Sequence, residues 1–262
     1  MDFSKFPLLL CGHSHVYAIA GYEETEKAFK TTNDFEVGRV SHAPGVFILH
    51  SVWPRPEDYW EQVCNVAQAP GDLSICVSYR GNDHLGGFFL QLAEPFDFYL
   101  PELPQWGVDP DVRLLPQRMI EASFAVHYDS FRSAVRSMVK TGKRVFLLGT
   151  PPPKNDDGFL RANLLNEPFF IGKCAIFGVS PGEVPFSPIS LRIKLWAVLQ
   201  ILTKRVAEEE GAEFVAAPET TLNLDGSLRR EFWADDCTHA NTSYGKAVLR
   251  AVYEKLHEKG RP

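Results

Sequence analysis

The sequence predicts a three-layer α/β fold: a central five-stranded parallel sheet with helices on both faces. Three observations carry that prediction. Five short apolar runs alternate with segments of helical period, the alternation that builds a parallel sheet covered on both sides. The runs are continuous in apolar residues rather than alternating, as strands buried on two faces are. Turn-forming patches follow three of them, at Gly12, Gly81 and Gly149, and ligands gather at the carboxyl ends of the strands in such sheets.

The elements follow in order. Residues 6–11 form the first strand, stopped by Gly12, and a helix is expected over residues 16–29. The run GVFILH at residues 45–50 is the second strand. A helix over residues 57–68 has acidic residues in its first turn and apolar ones at Tyr59, Trp60, Val63, Cys64 and Val66, and Pro70-Gly71-Asp72 breaks it. Residues 73–78 form the third strand. Residues 84–117 are rich in Phe, Leu and Pro without a clear period and are expected to be an irregular insertion near a pocket. A helix over 119–140, a strand over 144–148, a second irregular insertion over 151–187 and a long helix over 188–210 come next. A fifth strand at 213–216 and a terminal helix over 243–256 complete one domain, expected to span residues 1–262.

With 262 residues, of which 45% are hydrophobic and 23% charged, the chain can bury one sizeable core. Its net charge of −6 and lack of a dense basic stretch argue against nucleic acid or a membrane surface as partner. A small or neutral substrate fits better. The five cysteines form no CxxC or Cys/His pairing, so neither a disulfide framework nor a zinc site is expected, and no cofactor is implied. Only four consecutive apolar residues, Pro7 to Leu10, precede the first motif, too few for a secretory core or a membrane span. A cytoplasmic location is the expectation.

Four patches supply the parts of one catalytic centre: Gly12-His13-Ser14-His15, Gly81-Asn82-Asp83, Gly149, and Asp236-Cys237-Thr238-His239. A serine hydroxyl is a poor nucleophile at neutral pH and must pass its proton to a base as it attacks. Ser14 is the candidate nucleophile and His239 the candidate base. The imidazole needs a carboxylate to fix its tautomer and to stabilise the imidazolium, a role for Asp236 three residues earlier. Donors for the developing oxyanion are the Asn82 side chain and the Ser14 amide.

These blocks, in this order, resemble the SGNH or GDSL-type hydrolases. Gly12-His13-Ser14 is similar to that family's first block, Gly81-Asn82-Asp83 to its third, and Asp236-Cys237-Thr238-His239 to its last. The resemblance implies a flavodoxin-like fold and hydrolysis of a small acyl ester, an acetyl ester for example, on a sugar, lipid or other alcohol. It departs from the family at three points. His13 replaces an acidic residue, Gly81 directly precedes Asn82, and residues 50–54 hold no glycine to match the second block, Gly38 and Gly45 lying earlier.

Plainer readings stand beside these. Gly12-His13-Ser14-His15 could be a strand-to-helix turn capped by a side chain, and Gly81-Asn82-Asp83 is ordinary turn composition. His15 and Arg80 read as loop-stabilising, and Cys237 as a small buried filler. Competing functions are an acyltransferase using the same three residues, a metal-dependent phosphoesterase built on Gly-His-Ser-His, and a non-catalytic binding module of the same fold.

Overall fold

In the computed structural model, residues 8–21, 25–30, 36–40, 42–43, 45–50, 57–69, 71–79, 83–126 and 128–258 are described. Five parallel strands form the centre of the sheet: β1 (Leu8–Gly12), β4 (Val46–His50), β5 (Ser74–Ser78), β8 (Val145–Leu148) and β9 (Glu213–Val215). Two further strands, β2 (Thr25–Lys30) and β3 (Glu36–Val40), extend it antiparallel beside β4. The spatial order is β2-β3-β4-β1-β5-β8-β9. Numbered along the chain, the parallel strands run 2-1-3-4-5, the flavodoxin-like order whose direction of winding reverses beside the first strand.

Burial on both faces explains the continuous apolar runs. Leu8, Leu9, Leu10 and Cys11 of β1 are all 0% exposed. Alternate residues serve opposite cores, as strand geometry requires. Leu9, Cys11, Phe47, Ile75, Val77 and Leu147 face α2 (Tyr59–Ala67), α5 (Tyr128–Val139) and the long α8 (Ile189–Glu210). Leu8, Leu10, Val46, Cys76, Phe146 and Val215 face α1 (His15–Ala20) and α9 (Thr242–Glu258). The predicted three layers are present.

Several expectations are corrected. The helix expected over 16–29 is only α1, because Gly21, at φ 75°, turns the chain after Ala20, and strand β2 follows. The single helix expected over 119–140 is two, α4 (Gln117–Ala125) and α5. The insertion at 84–117 overlaps α3 (Asp83–Phe88) and holds a small parallel pair, β6 (Phe96–Asp97) with β7 (Arg113–Leu114). The segment 151–187 is not irregular throughout, since α6 (Asp157–Leu164) and α7 (Pro168–Phe177) occupy it, Asp156 capping α6 through the Phe159 amide at 2.9 Å. The α7 sequence PFFIGKCAIF has apolar residues around its whole circumference, with Lys173 its one charge, so it carries no helical stripe to read. Among the described residues no helix is long and apolar enough to cross a membrane.

Candidate active site

Ser14 owes its position to a turn that only glycine permits. Gly12 ends β1 at φ 129°, and a Cβ there would lie 1.8 Å from the Ser78 carbonyl oxygen. That carbonyl accepts a hydrogen bond from the His13 amide at 2.7 Å, and the Gly12 amide donates to the Tyr59 hydroxyl at 3.0 Å. The chain therefore leaves β1 hard against β5, and Ser14 emerges exposed at the head of α1. Ser14 makes no side-chain cap for that helix, so the plain capping reading fails. Among the described residues nothing accepts from its amide.

The other half of the site is a closed loop between β9 and α9. Trp233 and Ala240 pair as an antiparallel bridge, and the Asn241 amide donates to the Phe232 carbonyl at 2.8 Å. Asn241 then caps α9 by accepting from the Ser243 and Tyr244 amides at 2.9 and 3.3 Å. Within the loop, Asp236 Oδ1 accepts from the backbone amides of Thr238 and His239 at 2.8 and 2.6 Å. These bonds fix the carboxylate so that its second oxygen meets His239. The Cys237 amide donates to Glu167, and its thiol is buried beside Leu160. Burial, with the Glu167 contact second, pushes the Cys237 thiol up, so Cys237 is the filler that its surroundings suggested.

The two halves meet. His239 Nε2 lies 2.7 Å from Ser14 Oγ, and His239 Nδ1 lies 2.7 Å from Asp236 Oδ2, although Ser14 and His239 are 225 positions apart. What sets this meeting is the packing of α1 on α9. A Cβ at Gly245 would come within 2.4 Å of the Ile19 Cα, so a larger residue would force the helices, and with them Ser14 and His239, apart.

Burial alone would raise the Asp236 carboxyl. The hydrogen bond from His239, the charge it supports there and the nearby Lys154 outweigh burial and hold the group well below the usual carboxylate range. An ionised Asp236 places the imidazole proton on Nδ1 and leaves the Nε2 lone pair facing the serine hydroxyl.

Of the residues singled out from the sequence, Ser14, His239 and Asp236 are brought together. Gly81 and Asn82, the Arg80 beside them, and the segment 51–54 that would match a second block lie outside the described residues. Gly149 takes no part at the three side chains; its amide bonds to the Val215 carbonyl at 2.7 Å and it packs against Gln200. The two histidines flanking Ser14 diverge. His13 meets the Tyr79 ring at 4.9 Å between centroids, while His15 is buried with its ring 4.9 Å from that of His239. A cavity of about 400 Å³ lies between α3, β6 and α7, lined by Phe88, Leu90, Phe96, Lys173 and Phe177; none of the three site residues lines it.

Sequence reasoning missed Lys154. It lies beyond Gly149-Thr150-Pro151-Pro152-Pro153 and is 2% exposed. Its ammonium donates to the carbonyls of Ala234 and Asp236 and stands 3.5 Å from Asp236 Oδ1. The only signal was a lysine placed just past the end of a buried strand.

No protein-family description and no curated protein sequence matches the chain. Solved structures do. One from Bacteroides fragilis, a candidate acylhydrolase, is 11% identical, with 97% of this chain and 88% of that chain covered and a TM-score of 0.47. A candidate SGNH hydrolase from Slackia heliotrinireducens is 13% identical over 96% of this chain and 98% of that one, at a TM-score of 0.43. A third, from Streptococcus pneumonia and described as a candidate platelet activating factor, is 11% identical over 96% and 84%, also at 0.43.

Proposed function

We propose that the chain is a serine hydrolase that cleaves a small acyl ester, such as an acetyl ester, from a polar, carbohydrate-like alcohol. The single observation that supports this reading best is the pair of contacts on either side of one imidazole, Ser14 Oγ to His239 Nε2 and His239 Nδ1 to Asp236 Oδ2, each 2.7 Å. A hydroxyl at the exposed mouth of a parallel sheet, with an oriented base against it, is equipped to attack a carbonyl.

In the proposed reaction, Ser14 Oγ bonds to the acyl carbon while its proton passes to His239 Nε2. Asp236 stabilises the imidazolium across Nδ1. The carbonyl oxygen becomes an oxyanion, held by the Ser14 amide and, on the resemblance of Gly81-Asn82-Asp83, by the Asn82 side chain. As the carbon–oxygen bond to the alcohol breaks, His239 returns the proton to the departing oxygen. Water then attacks the acyl group on Ser14, giving its proton to the same imidazole; the bond from the acyl carbon to Ser14 Oγ breaks, the imidazolium returns that proton to Oγ, and the acid leaves.

A panel of activated short-chain esters and acetylated sugars tests the activity, and a fluorophosphonate reagent followed by mass spectrometry tests the nucleophile. Labelling is expected at Ser14, and Ser14→Ala should abolish both labelling and turnover with an unchanged circular dichroism spectrum. Turnover near the parent rate in Ser14→Ala would rule the assignment out.

A further inference from the structure

We propose that Lys154 is the positioning residue of the catalytic carboxylate: it clamps the loop that carries Asp236 and keeps the carboxylate turned toward His239. This rests on the serine-hydrolase reading above.

Lys154 is buried at 2% exposure, and an ammonium has three protons to place. The Ala234 carbonyl lies 2.7 Å away, the Asp236 carbonyl 2.5 Å and Asp236 Oδ1 3.5 Å. Two of the three acceptors are therefore backbone, on either side of Asp235, and the carboxylate is the most distant. The contact goes to Oδ1, the oxygen already occupied by the Thr238 and His239 amides, while Oδ2 is left to His239 Nδ1. The rings of Phe159 and Trp233 flank the ammonium at 5.2 and 5.8 Å. Lys154 is itself held in place, since its carbonyl accepts from Arg192 Nη1 at 3.1 Å, and Arg192 Nη2 pairs with Asp157 at 2.6 Å. Burial lowers the Lys154 ammonium pKa against the pull of Asp236, so the site tolerates this cation only because the loop surrounds it with acceptors.

The test combines Lys154→Met with Lys154→Gln, whose amide keeps two N–H donors for the carbonyls and loses the charge. In Lys154→Met kcat is expected to fall about tenfold or more with KM little changed, and Lys154→Gln should recover part of that loss. The NMR resonance of the His239 Nδ1 proton, which reports its bond to Asp236, should shift or be lost in Lys154→Met in the resting protein. In an Asp236→Asn background Lys154→Met should add little further loss, because its route to the reaction is gone. An unmoved resonance in Lys154→Met, or additive losses in the double variant, would overturn the proposal. The resonance requires no turnover, so it judges Lys154 even if Ser14→Ala shows that the serine reading is wrong.

Discussion

Two buried lysines use the same chemistry to opposite ends. Lys194 on α8 is 0% exposed; it donates to the carbonyls of Phe98 and Gly107, each at 3.1 Å, and pairs with Asp97 at 2.5 Å. It ties the insertion after α3 to the core. Lys154 likewise holds two carbonyls, but its carboxylate partner stands off at 3.5 Å. Among the described residues, Asp97 accepts only from the lysine and from the amides of Phe98 and Asp109, so the ion pair is closed. Asp236 keeps one oxygen for His239. The ångström between the two separations distinguishes a clasp that fastens the fold from one that also aims a reacting group.

That contrast can be broken by exchanging the two carboxylates for amides. Asp236→Asn is expected to lower kcat by about 10⁴-fold, the scale of loss when the orienting carboxylate is neutralised, with a melting temperature lowered less than in Asp97→Asn, because Lys154 keeps its two carbonyl acceptors. Asp97→Asn should do the reverse, lowering stability by about 3–5 kcal/mol, because it leaves the Lys194 charge buried without its counter-charge. The fraction that remains folded should turn over normally. Urea titration and single-turnover rates on both variants read the difference, and a 10⁴-fold loss in Asp97→Asn would erase it.

Asn82→Ala comes next in size. It should cost about 3–4 kcal/mol of transition-state stabilisation and appear in kcat, with KM nearly unchanged, since its bond strengthens only as charge develops. A change confined to KM would remove Asn82 from the oxyanion site.

The smallest effect sharpens the contrast by supplying a buried group with no clasp. His84, on α3, is 1% exposed, and among the described residues neither ring nitrogen has a hydrogen-bond partner. Burial, with the Arg192 charge second, lowers its pKa to about 3. The unfolded chain takes up a proton near pH 6.5 and the folded chain does not, so stability falls as pH drops from there toward 3. At pH 5 this amounts to about 2 kcal/mol. His84→Leu should flatten that slope in urea titrations at pH 5 and pH 7.5. A slope equal to the parent's would mean that His84 is charged in the folded protein.

The sheet was largely legible because strands buried on both faces write themselves as unbroken apolar runs, and all five parallel strands lie where such runs fall. The β2–β3 hairpin was not, since the polar TEKAFK run lacks the apolar signal and was absorbed into a helical pattern. The break between α4 and α5 and the mostly apolar α7 were hidden for related reasons: periodicity continues across one and is missing from the other. Ser14, Asp236 and His239 could be found because a hydroxyl, a carboxylate and an imidazole at strand ends are chemically conspicuous. Lys154 could not, because a single lysine in a loop gives no hint that it will be buried. Only the three-dimensional return of residues 234–236 onto it makes it informative.

The close approach of Gly245 to Ile19 has a consequence for the newly made protein. On the proposed reading, a growing chain makes Ser14 before the base that would arm it, which follows 225 positions later and is seated only when α9 docks on α1. A copy that still lacks α9 would then be chemically idle, its hydroxyl unarmed until that docking.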